Sequence, residues 1–77
     1  MLDELVLNEK RSKILKTVYE AHMHGRAVVT IDLSHIGSSV LDYYFLIDYD
    51  FLKSVAQNNT TLAVRISGKG INYLTAV

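Results

Sequence analysis

Apolar residues recur at helical spacing through the first third of the chain. Ile14, Leu15, Val18 and Tyr19, with Ala21 or His22 next, fall on one face, and Lys10, Lys13, Lys16, Thr17 and Glu20 take up the rest of the circumference. This predicts a helix from about Glu9 to Met23, entered from an apolar lead-in, Leu2, Leu5 and Leu7. Asn8 is placed to cap it, Glu9 to favour its dipole, and His24 and Gly25 to end it. Ala27, Val28 and Val29 then form a short β-branched run of strand type, after which Thr30 can cap a helix of barely two turns, Ile31 to Ile36, that stops at Gly37. Ser38 and Ser39 offer caps for a third helix reaching about Asp48, and Ser39 with Asp42 has the spacing of a capping box, with Asp in place of Glu. Val40, Tyr44 and Ile47 share a stripe of this helix, but Leu41, Tyr43, Phe45 and Leu46 cover most of the remainder. A helix apolar nearly all round is expected to be buried on more than one side.

Beyond Asp50 the period changes. Phe51 to Gln57 and Thr60 to Ser67 read as two strands joined by Asn58 and Asn59, residues that tolerate the positive φ angles of a two-residue hairpin. That loop pairs Lys53 with Val64 and Val55 with Leu62. It places Leu62, Val64 and Ile66 on the inner face, with Ala63 and Arg65 outside. Ser67 can then cap a last helix containing Ile71, Tyr73 and Leu74 and ending at Val77.

Length turns this pattern into one domain, residues 1–77: a chain of 77 residues buries only about 60% of the surface its unfolded form exposes, so a partner is an expected source of stability. Cysteine is absent, which excludes disulfide staples and thiolate metal sites. The longest apolar run, Tyr43 to Ile47, is 5 residues, far short of the roughly 20 that span a bilayer, and Asp3 and Glu4 stand where a signal peptide carries bases. A cytoplasmic protein without membrane contact is the expectation. Formal net charge is zero, yet the charge is segmented. Lys10, Arg11, Lys13, Lys16 and Arg26 make the first helix region basic, Asp32, Asp42, Asp48 and Asp50 make the middle acidic apart from Lys53, and Arg65 and Lys69 stand alone in the last third.

Chemistry-bearing residues are few. His22 and His24 lie two apart on a helix and point roughly 200° from each other, so they do not chelate together, and with His35 they give no metal site. Ser67-Gly68-Lys69-Gly70 lacks the full spacing of a phosphate loop and reads as a capped turn. No nucleophile elbow, carboxylate pair or ligand spacing unites the Ser, His and Asp residues, so an enzyme is not expected, and no cofactor or small-molecule ligand is indicated. Lys10, Lys13 and Lys16 form either a basic patch or a solvated helix face.

Three stretches, RSKILKTVYEA, LIDYDFLKSV and RISGKGINYL, resemble in order and spacing the winged-helix superfamily of small prokaryotic and viral DNA-binding regulators. The positions that carry the likeness are Leu46, Asp50, Phe51, Leu52, Ser67 and Gly70, and it covers roughly Arg11 to Leu74. Asp50 stands where that family usually has Gly. The resemblance implies an α+β fold, a small winged helix-turn-helix domain with three helices, a short strand, a β-hairpin wing and a short C-terminal helix. The segments would be a lead-in (1–8), helix 1 (9–24), the helix-turn-helix (30–49), the wing (51–67) and the C-terminal helix (68–77).

It also implies a transcription regulator that binds double-stranded DNA, as a homodimer. The helix beginning at Ser38 would enter the major groove and the hairpin tip would lie on the backbone or minor groove. Ser38, Ser39, Asp42 and Tyr43 would then face the bases, Asp42 able to accept from cytosine although the capping box also explains it. Lys53, Asn58, Asn59, Arg65 and Lys69 would serve the wing. Tyr43 and Tyr44 can reach phosphates through their hydroxyls, with at least one of them expected in the core. The acidic, tyrosine-rich third helix, which has no Lys or Arg, supports a second reading: a module for protein contact that docks this helix on a partner or on its own copy.

Overall fold

Asn8 starts the first helix as its spacing predicts. Its side-chain oxygen accepts the Arg11 amide at 2.8 Å, and α1 runs Glu9–Met23 until the chain turns out at Gly25, whose φ is +90°. The computed structural model describes residues 7–76, so residues 1–6 of the lead-in, Leu2 and Leu5 among them, and Val77 lie outside the described residues. Elements follow in the order α1, β1 (Val29–Asp32), α2 (Val40–Asp48), β2 (Leu52–Gln57), β3 (Thr61–Ile66) and α3 (Gly68–Thr75). The architecture of the described residues is α+β: three α-helices and a three-stranded antiparallel sheet in the order β1-β3-β2.

The helix expected over Ile31 to Ile36 does not form. Ile31 is needed in the sheet, where it pairs with Leu62 and is only 7% exposed, and the Leu33 amide continues the ladder to the Thr60 carbonyl at 2.8 Å. Asp32 then takes its own chain into a turn: one carboxylate oxygen accepts both the amide and the hydroxyl of Ser34, at 3.0 and 2.7 Å. These bonds hold the Asp32 carboxyl below the usual carboxylate range, the Ser34 hydroxyl contributing most. Turns at residues 33–36 and a 3₁₀ turn at Gly37–Ser39 lead into α2. The strand thus begins two residues later than the Ala27 to Val29 run, at Val29–Asp32.

Ser39 is also not the cap its spacing with Asp42 implies. It already has helical backbone angles (φ −63°, ψ −17°) as part of the 3₁₀ turn, and its side chain makes no capping bond. An N-cap side chain reaches the next amides only from an extended backbone.

The hairpin carries the expected inner face, with Leu62, Val64 and Ile66 all buried and Arg65 exposed. Its register differs from the tip onward: the Asn58 amide closes the turn on the Thr61 carbonyl at 3.0 Å, so Gln57 pairs with Leu62, and a bulge between Ser54 and Ala56 then sets Ser54 opposite Val64 and Lys53 opposite Arg65. The tip is built by Asn58, whose side-chain oxygen accepts the amides of Thr60 and Thr61 at 2.9 and 2.8 Å, so the loop includes Thr60 as well as the two asparagines.

Leu15, Val18, Leu46, Phe51, Leu52, Leu62, Val64 and Ile66 form the core where α1, α2 and the sheet meet. The corner from α2 into β2 is fixed by Asp50, which takes the left-handed conformation (φ +67°) that its position demands. The Phe51 amide returns to the Leu46 carbonyl at 2.8 Å. Ser67 locks this corner to α3. Its hydroxyl donates to the Asp50 and Phe51 carbonyls, and its oxygen accepts the Gly70 amide at 3.0 Å as the predicted cap.

Candidate nucleic-acid interface

Asp42 is the site residue whose position departs most from expectation. It lies on the inner side of α2, 9% exposed, with its carboxylate facing α1. Arg11 Nε donates to one oxygen at 2.9 Å, Lys10 Nζ stands 3.2 Å from the other, and the Arg11 guanidinium sits 3.8 Å above the Phe45 ring. The Asp42 carboxyl is held below its usual range, mainly by the Arg11 hydrogen bond, with Lys10 adding to it against the opposing effect of burial. Asp42 therefore does not complete a capping box; its carboxylate, paired with Arg11 and Lys10, clamps α2 to α1.

This clamp makes a pH-dependent contribution to stability. A carboxyl with a depressed folded-state pKa contributes fully above its unfolded value, about pH 4, and that contribution is lost as pH falls through the folded value. Asp42→Asn is expected to be less stable than the parent by about 1 to 3 kcal/mol at pH 7. Thermal melts should show this gap narrowing as pH falls below about 4 and closing only once the pH has also fallen through the lower folded-state value, where the parent's carboxyl is protonated in both states.

With Asp42 turned inward, the entry to α2 presents Ser38 and the 66%-exposed Leu41 and no exposed carboxylate. Asp48 and Asp50 are exposed, but at the other end of the helix. Tyr44 ties α2 to the hairpin, because its hydroxyl accepts a hydrogen bond from the side-chain amide of Gln57, the residue before the tip. Helix and tip are thereby held in one relation.

On the β2–β3 hairpin, Lys53 and Arg65 stand directly opposite each other on the outer face of the sheet, both exposed. The ion pairs among the described residues engage Lys10, Arg11 and His35, and involve neither of these two cations. Asn59 is exposed at the tip, whereas the Asn58 oxygen is consumed in building the turn. Lys69 is occupied: its ammonium donates to the Tyr49 carbonyl at 2.8 Å and lies 4.7 Å from the Phe51 ring centroid, bracing α3 against the α2–β2 corner rather than extending from the wing.

Ser39 and Tyr43, half-buried, face a different feature, an open groove of about 470 Å³ between α1 and the 33–39 turn. Lys10, Lys13, Thr17 and His35 form its exposed rim. Burial raises the Tyr43 hydroxyl above the usual tyrosine value. The sequence pairs Ser39 with Tyr43 at i, i+4, so their common face was legible. Lys13 opposite them was not, because that meeting depends on how α1 packs.

Among the described residues no three His, Cys, Asp or Glu side chains converge on a possible metal position. No helix among them is long and apolar enough to cross a membrane. Comparison with family models, with curated proteins and with solved structures gives no match to this chain.

Proposed function

We propose that the chain is a winged-helix DNA-binding domain of the transcription-regulator type, which holds duplex DNA between the start of α2 and the β2–β3 wing. The order helix, strand, turn, helix, hairpin, helix supports this reading, with the first strand paired to the far strand of the hairpin. In it, the turns at 33–39 take the place of a second helix.

The observation that carries the proposal is the Lys53–Arg65 pair. Like charges directly opposite on neighbouring strands destabilise a sheet, and a polyanion laid along that face relieves the repulsion while releasing counterions. Inward pairing of Asp42 removes the acid that would otherwise oppose a phosphate at the head of α2. Base recognition falls to Ser38 and Leu41, so the affinity rests mainly on phosphates and discriminates weakly among sequences.

Fluorescence anisotropy with a mixed-sequence duplex over a range of salt concentrations tests this. Lys53→Ala and Arg65→Ala should each weaken binding to all duplexes alike and reduce the salt slope by about one. Slopes equal to the parent's in both variants would overturn the placement of the duplex on the wing.

A second reading, contact with a protein partner or a second copy of the chain, is favoured by the exposure of Leu41 at 66% and Tyr49 at 48%, both beside Phe45 on or just after α2. In that case Leu41→Ser should abolish self-association or partner capture and leave duplex affinity unchanged.

A further inference from the structure

The groove between α1 and the 33–39 turn has a chemistry of its own. Its half-buried lining is apolar, Ile14 and Ile36, together with the Tyr43 ring. Two hydroxyls stand there one helical turn apart: neither Ser39 nor Tyr43 spends its hydroxyl in a hydrogen bond among the described residues, Ser39 because the 3₁₀ turn removed its capping role. Across from them Lys13 contributes an ammonium that none of the described ion pairs engages, while Lys10 beside it is shared with Asp42. A groove of about 470 Å³ is in the size range of small-molecule sites, which combine an apolar lining with a few convergent polar groups.

The geometry points to a binding site for a small amphipathic anion, an aromatic phosphate or carboxylate, whose ring lies on Ile36 and Tyr43 and whose charged group meets Lys13 and the Ser39 and Tyr43 hydroxyls. Cation and hydroxyl donors together favour an anionic group through charge-assisted hydrogen bonds. Neither hydroxyl needs to break an existing bond to donate. The isoleucines and the tyrosine ring distinguish an aryl anion from a bare one. This site is separate from the wing and does not depend on duplex binding.

Titration of the isotope-labelled full chain with phenyl phosphate, followed by amide NMR, provides the test, with inorganic phosphate as a parallel arm. Saturable shifts at Ile36, Ser39 and Tyr43 are expected, with markedly weaker binding of inorganic phosphate. Lys13→Ala should weaken phenyl phosphate about tenfold, and Tyr43→Phe, which keeps the ring and the fold, should weaken it by a smaller factor. Lys16→Ala, on α1 but outside the groove, should leave it unchanged. Absence of saturable shifts at millimolar probe would overturn the proposal. So would equal affinity for inorganic phosphate, or equal loss in Lys13→Ala and Lys16→Ala, because the groove would then be no more than diffuse positive charge.

Discussion

Alanine at Gly70 is expected to lower stability by about 3 kcal/mol, as overpacking a tight site does, and so to lower the melting midpoint by roughly 10 to 20 °C in a domain of this size. A Cβ at this position would fall on the Phe51 carbonyl oxygen, 2.9 Å from Ile66 Cγ1 and 3.2 Å from Leu15 Cδ1. The decisive neighbour is backbone and cannot rotate away. That same carbonyl accepts both the amide and the hydroxyl of Ser67, at 3.1 and 3.0 Å, so displacing it also breaks the cap of α3. Gly68, two residues earlier in the same helix, has nothing within 4 Å of a built Cβ, and Gly68→Ala should be neutral or slightly stabilising. A Gly70→Ala melt matching that of Gly68→Ala would show that α3 does not pack this closely on the sheet.

Leu46→Ala should cost about 2 to 5 kcal/mol, the range for truncating a fully buried leucine. Leu46 has no exposed surface and lies in the cluster with Leu15, Leu62 and Val64, where α1 and the sheet close over α2. Its carbonyl also accepts the Phe51 amide that fixes the turn into β2. Small domains have only about 5 to 15 kcal/mol in total, so this variant should be partly or wholly unfolded at 37 °C by circular dichroism. Retention of the parent's melting midpoint would mean that another residue of α2 faces the core.

What local signals specify was legible in the sequence. Asn8 and Ser67 cap the helices they were expected to cap, and the alternation in β3 sorts Leu62, Val64 and Ile66 from Arg65. Each is decided within a few residues. The departures were decided at long range. Ile31 is a strand residue because Leu62, far along the chain, needs a partner in the sheet. Ser39 and Asp42 have the spacing of a capping box, but a 3₁₀ turn occupies the cap position, and Arg11, 31 residues away, takes the carboxylate. The hairpin register is the local exception: the turn closes between Asn58 and Thr61, one residue later than expected, and a bulge at Val55 then offsets the pairing again.

The same contrast holds for the candidate site. Lys53 and Arg65 were legible as cations of the hairpin, but their direct opposition required the shifted register. Lys69 reads equally as a wing cation until α3 folds back and carries its ammonium to the Tyr49 carbonyl.

The most direct measurement is a two-dimensional amide NMR titration of the full chain with an unrelated mixed-sequence duplex at low salt. Binding through α2 and the wing predicts shifts concentrated at Ser38, Leu41, Lys53, Asn59 and Arg65. They should weaken steeply as salt is added and leave α3 and the outer side of α1 near Glu20 unmoved. A spectrum unchanged by saturating duplex, or one whose shifts avoid both the wing and the start of α2, would contradict it.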